Sequence, residues 1–167
     1  YQSGTGLMSD ALRSLGSFPL TEPYTALGLP PTAGGTTIQA SVLSASGNDA
    51  IVDWILVELR SPANPSTVVL RRAALLQRDG DVVDLDGIAP LAMPGASGAY
   101  HVAFRHRNHL GAMTLNPFTF GIYPASVDFT VPSTATWGTG ACFIGGLKQM
   151  LYMGDLNGNG TIKYTGS

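Results

Sequence analysis

Residues 51–60 (IVDWILVELR) alternate with the two-residue period of a β-strand, setting Ile55, Val57 and Leu59 on one face and Glu58 and Arg60 on the other. Trp54 and Leu56 share that second face, so it too is at least partly covered. Residues 67–85 predict a hairpin. Asp79-Gly80 is the dipeptide that two-residue type I′ turns favour, because both central positions take φ > 0. A turn there sets Arg78 opposite Asp81, Leu76 opposite Val83 and Ala74 opposite Leu85, one apolar face closed by a cross-strand Arg78–Asp81 ion pair. The other face pairs Leu75 with Asp84 and Ala73 with Asp86 and lies closer to water.

Residues 98–107 (GAYHVAFRHR) predict another strand, with Tyr100, Val102, Phe104 and His106 on one side and His101, Ala103, Arg105 and Arg107 on the other. Further strands are expected over 37–44, 113–121, 126–131 and 147–153, the last equally readable as a short helix; 61–66 and 133–146 read as loop. Near the start, residues 8–15 (MSDALRSL) predict a short helical turn with Ser9 as cap, closed by Gly16 and Pro19. Pro23, Pro30 and Pro31 then hold the chain extended. The expected fold is all-β: an Ig-like or transthyretin-like β-sandwich of about 7–9 strands. Residues 1–36 form an extended Pro/Gly-rich arm and 37–167 the sandwich, a single domain overall.

Composition narrows the setting. Charged residues make up 12% of the chain, about half the usual share. A formal charge of −2 argues against general attraction to nucleic acid. No apolar run approaches the roughly 20 residues that span a bilayer. Cys142 is alone and cannot close an internal disulfide, and no Cys/His spacing suggests zinc. The first residue is Tyr1, which is expected of a processed or excised product. Few charges, only two lysines and much Thr, Ser, Gly and Asn point to an extracellular or cell-surface location.

Three stretches carry candidate chemistry. In residues 104–109 (FRHRNH), His106 and His109 offer two metal ligands where zinc needs three or four, and no Gly-x-Ser-x-Gly elbow supplies a nucleophile. The stretch reads instead as the polar end of a core strand, with Arg105 and Arg107 meeting Asp84, Asp86 or Glu58. Residues 79–86 (DGDVVDLD) hold four carboxylates, but the hairpin register separates Asp79 and Asp81 from Asp84 and Asp86, and Arg71, Arg72 and Arg78 stand near to compensate them. In residues 155–160 (DLNGNG), Asp155, Asn157, Asn159 and Gly160 match the opening positions of a calcium loop, with Thr161 giving its carbonyl. Gly166 stands where a bidentate acid belongs, so this is a candidate for weak Ca2+ binding only.

Residues 4–24 (GTGLMSDALRSLGSFPLTEPY), 52–60 (VDWILVELR), 71–87 (RRAALLQRDGDVVDLDG), 100–114 (YHVAFRHRNHLGAMT) and 154–167 (GDLNGNGTIKYTGS) together resemble a β-rich module of large secreted or cell-surface proteins of Bacteroidota-like bacteria, haemagglutinin-like proteins and type IX secretion cargo among them. The resemblance implies an extracellular setting and no catalytic residues. The expected function is that of a non-enzymatic structural or assembly protein, a self-associating subunit of a surface filament or adhesin whose partners are other copies of itself. The alternative is a calcium-assisted carbohydrate-binding module that takes surface glycans on Trp54, Trp137, Tyr123 or Tyr152.

Overall fold

The structure is a computed structural model that describes residues 2, 4–121, 125–155, 161 and 162. It is all-β. Among the described residues the strands are β1 (Ile51–Arg60), β2 (Val68–Gln77), β3 (Val82–Val83), β4 (Gly98–His106), β5 (His109–Met113), β6 (Phe118–Phe120), β7 (Cys142–Gly145) and β8 (Lys148–Leu151). Helical structure there is confined to short 3-10 segments at Ala11–Leu15, Thr25–Leu27, Ala40–Ser44 and Gly47–Asp49. No helix among the described residues is long and apolar enough to cross a membrane. The chain contacts divide into two compact units, Tyr1–Leu56 with Arg72–Pro94 and Val57–Arg71 with Gly95–Ser167.

In the first unit the strand order is β3-β2-β1. Its core gathers Phe18, Tyr24, Ile38, Ile51, Trp54, Leu56, Ala73, Leu75 and Val83. Phe18 and Tyr24, with Leu12 and Leu29 packed beside them, therefore tie the N-terminal stretch into this core. Trp54 donates its indole N–H to the Pro19 carbonyl (2.7 Å), and the Tyr24 hydroxyl donates to the Trp54 carbonyl (2.9 Å). Each large ring thus buries its body while its polar tip finds an acceptor. Residues 20–22 pair with 36–38 through Glu22 N–H to Thr36 O and Ile38 N–H to Leu20 O, both 2.8 Å. The helical turn expected near the start is present as a 3-10 turn over Ala11–Leu15, but its N-cap is Asp10 rather than Ser9 and makes no side-chain cap bond; Ser9 Oγ accepts the Ala11 N–H, and Arg13 clasps Asp10.

Two expectations in this unit are corrected. Residues 37–44 do not form a strand; Ala40–Ser44 is a 3-10 turn. There Val42 N–H bonds Gln39 O, and the Ser44 hydroxyl bonds Ser41 O, local bonding that competes with a strand ladder. The hairpin forms, one residue out of the expected register: Leu75 faces Val83 and Leu76 faces Val82. Gly80 N–H bonds Gln77 O, Gln77 N–H bonds Asp81 O, and Gly80 takes φ +107°. The loop is thus the three-residue Arg78-Asp79-Gly80, with glycine at the position needing positive φ. The extra loop residue brings Leu75 and Val83, both buried, to the same face.

In the second unit the order is β2-β1-β4-β5, with β6 also pairing β4. Ala103 faces Met113 and Phe104 faces Ala112, whereas His106 faces His109, so Leu110 and Gly111 of β5 stand opposite the single residue Arg105, a bulge in β5. Both sides of β4 are covered, since His101, Val102 and Ala103 are all buried. Residues 126–131 form no strand, because Asp128 Oδ1 accepts the Thr130 N–H (2.7 Å) and folds the chain into a turn. The expected 133–146 loop instead contains β7, which pairs with β8 across Gly146-Leu147. Gly146 has φ +63°, as the first central position of a type II′ turn requires.

Candidate functional site

Arg105 of FRHRNH meets the charged groups of β1 in the second unit around Glu58, whose side chain is fully buried. Alternation along β1 puts Glu58 and Arg60 on one face, and Arg60 returns its Nε (2.9 Å) and an Nη to Glu58 Oε2. Arg71 reaches Oε1 through Nε (2.9 Å), and Arg105 reaches Oε2 through Nε (3.4 Å). Burial pushes the Glu58 carboxyl up, but hydrogen bonds and charge from Arg60, Arg105 and Arg71 outweigh it and hold the group below the ordinary carboxylate range. Glu58 stays ionised because three cations surround it. Among the described residues this is the densest meeting of charge.

The other candidates lie elsewhere. Arg78 does not meet Asp81; with the turn one residue longer, Asp81 faces Gln77, and Arg78 donates to Met8 O (2.9 Å) and stands 3.7 Å from Asp10. Asp84 grips Arg72 with both oxygens (2.8 and 3.0 Å) rather than Arg105 or Arg107. Gly34, at φ +83°, lies over that guanidinium so closely that a Cβ would come within 2.5 Å of Arg72 Nε. Asp86 caps its own turn by accepting the Ile88 and Ala89 N–H groups, and those bonds hold its carboxyl below the usual range. Arg107 is half-buried in the β4–β5 turn.

His106 and His109 do come together: their Nδ1 atoms are 2.9 Å apart, one donating and the other accepting, with the rings edge to face. The chain entering DLNGNG comes to the same turn. Gly154 N–H donates to Asn108 O (3.0 Å), Met153 bridges to His109, and Asp155 follows, buried. Asn157 and Asn159 of the calcium-loop candidate lie outside the described residues; Thr161 is described and exposed. Among the described residues no group of three or more His, Cys, Asp or Glu is arranged to hold a metal ion. His101 is buried, its Nδ1 donating to Thr114 O (3.0 Å) and its ring edge-on to Trp137.

Of the proposed stacking aromatics, Trp54 is fully buried and cannot serve; Trp137 and Tyr152 are exposed, and Tyr123 lies outside the described residues. A groove of 210 Å³ is lined by Asn116, Phe118, Ser133, Thr134 and Ala135, none of them titratable.

A feature that residue patterns revealed only in half is the β7–β8 ribbon, since β8 falls within the strand expected over 147–153 while β7 falls within the expected loop. Leu147 is 90% exposed, Met153 76%, Ile144 56% and Phe143 50%. Gln149 N–H bonds Thr130 O, away from β7, so the Ile144–Gln149 pair is of the non-hydrogen-bonded kind. Ile144 consequently turns its own N–H and C=O to the outer side of β7, where no strand pairs among the described residues. The signal in the sequence was the run CFIG, hidden by the surrounding Gly and Thr.

Comparison with known protein families, curated proteins and solved structures finds no match to this chain.

Proposed function

We propose that this protein is a non-enzymatic, extracellular or cell-surface assembly protein whose copies associate with one another, as in a surface filament or adhesin, through the open edge of β7. The observation that carries the reading is the outer edge of β7, unpaired among the described residues and flanked by exposed Phe143 and Ile144. Such an edge templates pairing with another strand, the backbone supplying hydrogen bonds and apolar side chains the contact area. Charge favours a second copy as the occupant. The first unit holds eight carboxylates against Arg13, Arg72 and Arg78, a net −5; the second holds six cationic side chains against Glu58, Asp128 and Asp155, a net +3. Opposite units of two copies attract. The strand-rich, antiparallel architecture supports an Ig-like or transthyretin-like sandwich as its finer description. The non-enzymatic reading is supported by Glu22 and Glu58, the two glutamates, which are engaged in structural hydrogen bonds with Tyr24 and Thr25 and with arginines respectively.

Residues 1–36 do not carry this reading, since Phe18 and Tyr24 complete the core of the first unit. The decisive experiment is sedimentation across a concentration series for the unaltered chain and for Ile144→Lys, which places a charge on the edge. The unaltered chain associates and Ile144→Lys stays monomeric with unchanged melting; a wild type that remains monomeric at millimolar concentration removes the proposal. A second reading, glycan binding, is favoured by the exposed Trp137 indole and Tyr152 phenol. A glycan array probed with and without calcium tests it, and binding lost in Trp137→Ala supports it.

A further inference from the structure

We propose that β7 pairs with β7 of a second copy in one register, antiparallel about a twofold axis at Phe143. This rests on the self-association proposed above and adds its geometry. Hydrogen bonding alternates along the ribbon. Ile144–Gln149 is a non-hydrogen-bonded pair, so Phe143–Met150 is hydrogen-bonded and Cys142–Leu151 is not. Cys142 and Ile144 therefore both turn their N–H and C=O groups to the outer side of β7, where no strand pairs among the described residues. Phe143 turns its own groups inward to β8. A second antiparallel strand has to set outward groups against outward groups, so the register can change only in steps of two residues.

Backbone conformation chooses among those steps. Gly140 (φ +67°) and Gly146 (φ +63°) both take left-handed backbone, so the extended segment is confined between them. A step one way sets Ile144 against Gly140 of the other copy, and a step the other way sets Cys142 against Gly146. Each keeps only the hydrogen-bonded pair on the axis. One register keeps two such pairs, with Cys142 opposite Ile144 of the other copy and Ile144 opposite its Cys142. Phe143 then faces Phe143 across the axis in a non-hydrogen-bonded pair, where side chains approach most closely. Gly145 faces Ala141 on either side of the rings, and these small residues leave room for an aromatic pair. Cys142–Gly145 carries no charge, so two identical edges meet without repulsion. Because one patch meets itself, this contact closes at two copies, and a filament grows only by adding a different one.

The test traps the register by disulfide in the full chain. Cys142→Ser removes the native thiol, a single cysteine is placed at position 143 or 144, and the chains are oxidised with diamide. Phe143→Cys is expected to cross-link two copies. Ile144→Cys cross-links at least about tenfold less, because the two copies of residue 144 are diagonal neighbours about 7–8 Å apart, beyond the roughly 7 Å that a disulfide spans. With Cys142 retained, Ile144→Cys cross-links again, since 144 faces 142; this arm decides alone if Phe143→Cys does not fold. Adding Ile144→Lys to the Phe143→Cys chain abolishes its cross-link. Sedimentation of the unaltered chain is run alongside. A chain that stays monomeric at millimolar concentration removes self-association and the register with it. A chain that associates but cross-links through 144 alone in preference to 143, or through neither, keeps self-association and overturns the register.

Discussion

The two units divide their apolar and charged residues in opposite ways. Among the described residues, the first unit buries twelve hydrophobic side chains and exposes four large ones, whereas the second buries five and exposes nine. The first carries net −5 and the second net +3. Stability in the first therefore comes from apolar burial around Trp54 and Tyr24. In the second it leans on hydrogen-bonded charge around Glu58 and on strand pairing. A unit that keeps its apolar side chains outside and concentrates positive charge is suited to contact with other molecules; one that buries them is suited to hold the chain folded.

The largest expected effect falls on the first unit. Trp54→Ala removes its largest buried side chain and the bond to Pro19 O, and costs about 3–5 kcal/mol. Denaturant unfolding measures this, and a loss below about 1 kcal/mol would break the contrast between the units. Next comes Glu58→Gln, which leaves three arginines without their shared anion and costs about 3 kcal/mol. Hydrogen exchange sharpens the contrast here: amides of β4 and β5 lose protection in Glu58→Gln more than those of Ile51–Leu56.

The same substitution tests the pH dependence. The folded-state pKa of Glu58 is depressed, so its contribution is fully present above the unfolded value of about 4.3 and is lost as pH falls through the lower folded value. Asp10, held low by its hydrogen bond to Arg13, adds to the same acid limb. Melting temperature therefore drops below about pH 4, and Glu58→Gln flattens that drop. The smallest effect is at the ribbon tip. Leu147→Ser changes monomer stability by less than about 0.5 kcal/mol, because Leu147 lies almost wholly in solvent. A larger loss in thermal melting would mean that the tip supports the fold.

Strand existence was legible wherever period and turn chemistry agreed. Residues 51–60 became β1, 98–107 became β4 shortened by one residue, and Asp79-Gly80 became a hairpin turn. Register was not legible, because two- and three-residue loops both accept Asp-Gly, and the choice depends on bringing Leu75 and Val83 onto one buried face. β7 was missed because four residues amid glycines carry too short a pattern. Of the candidate site, sequence marked Arg105 and Glu58 as charges able to meet on neighbouring strands. It did not indicate that Arg60 and Arg71 would join them, since which charges meet depends on strand order.

The sequence by itself determined the class of structure, the long central strand and the poverty of charge, because these follow from local alternation and composition. Tertiary structure alone decided that Phe18 and Tyr24 enter a core, that a chain of net −2 contains a +3 unit, and that one buried glutamate gathers three arginines. Those outcomes depend on which distant segments become neighbours, and neighbourhood across many residues is set by packing, not by pattern.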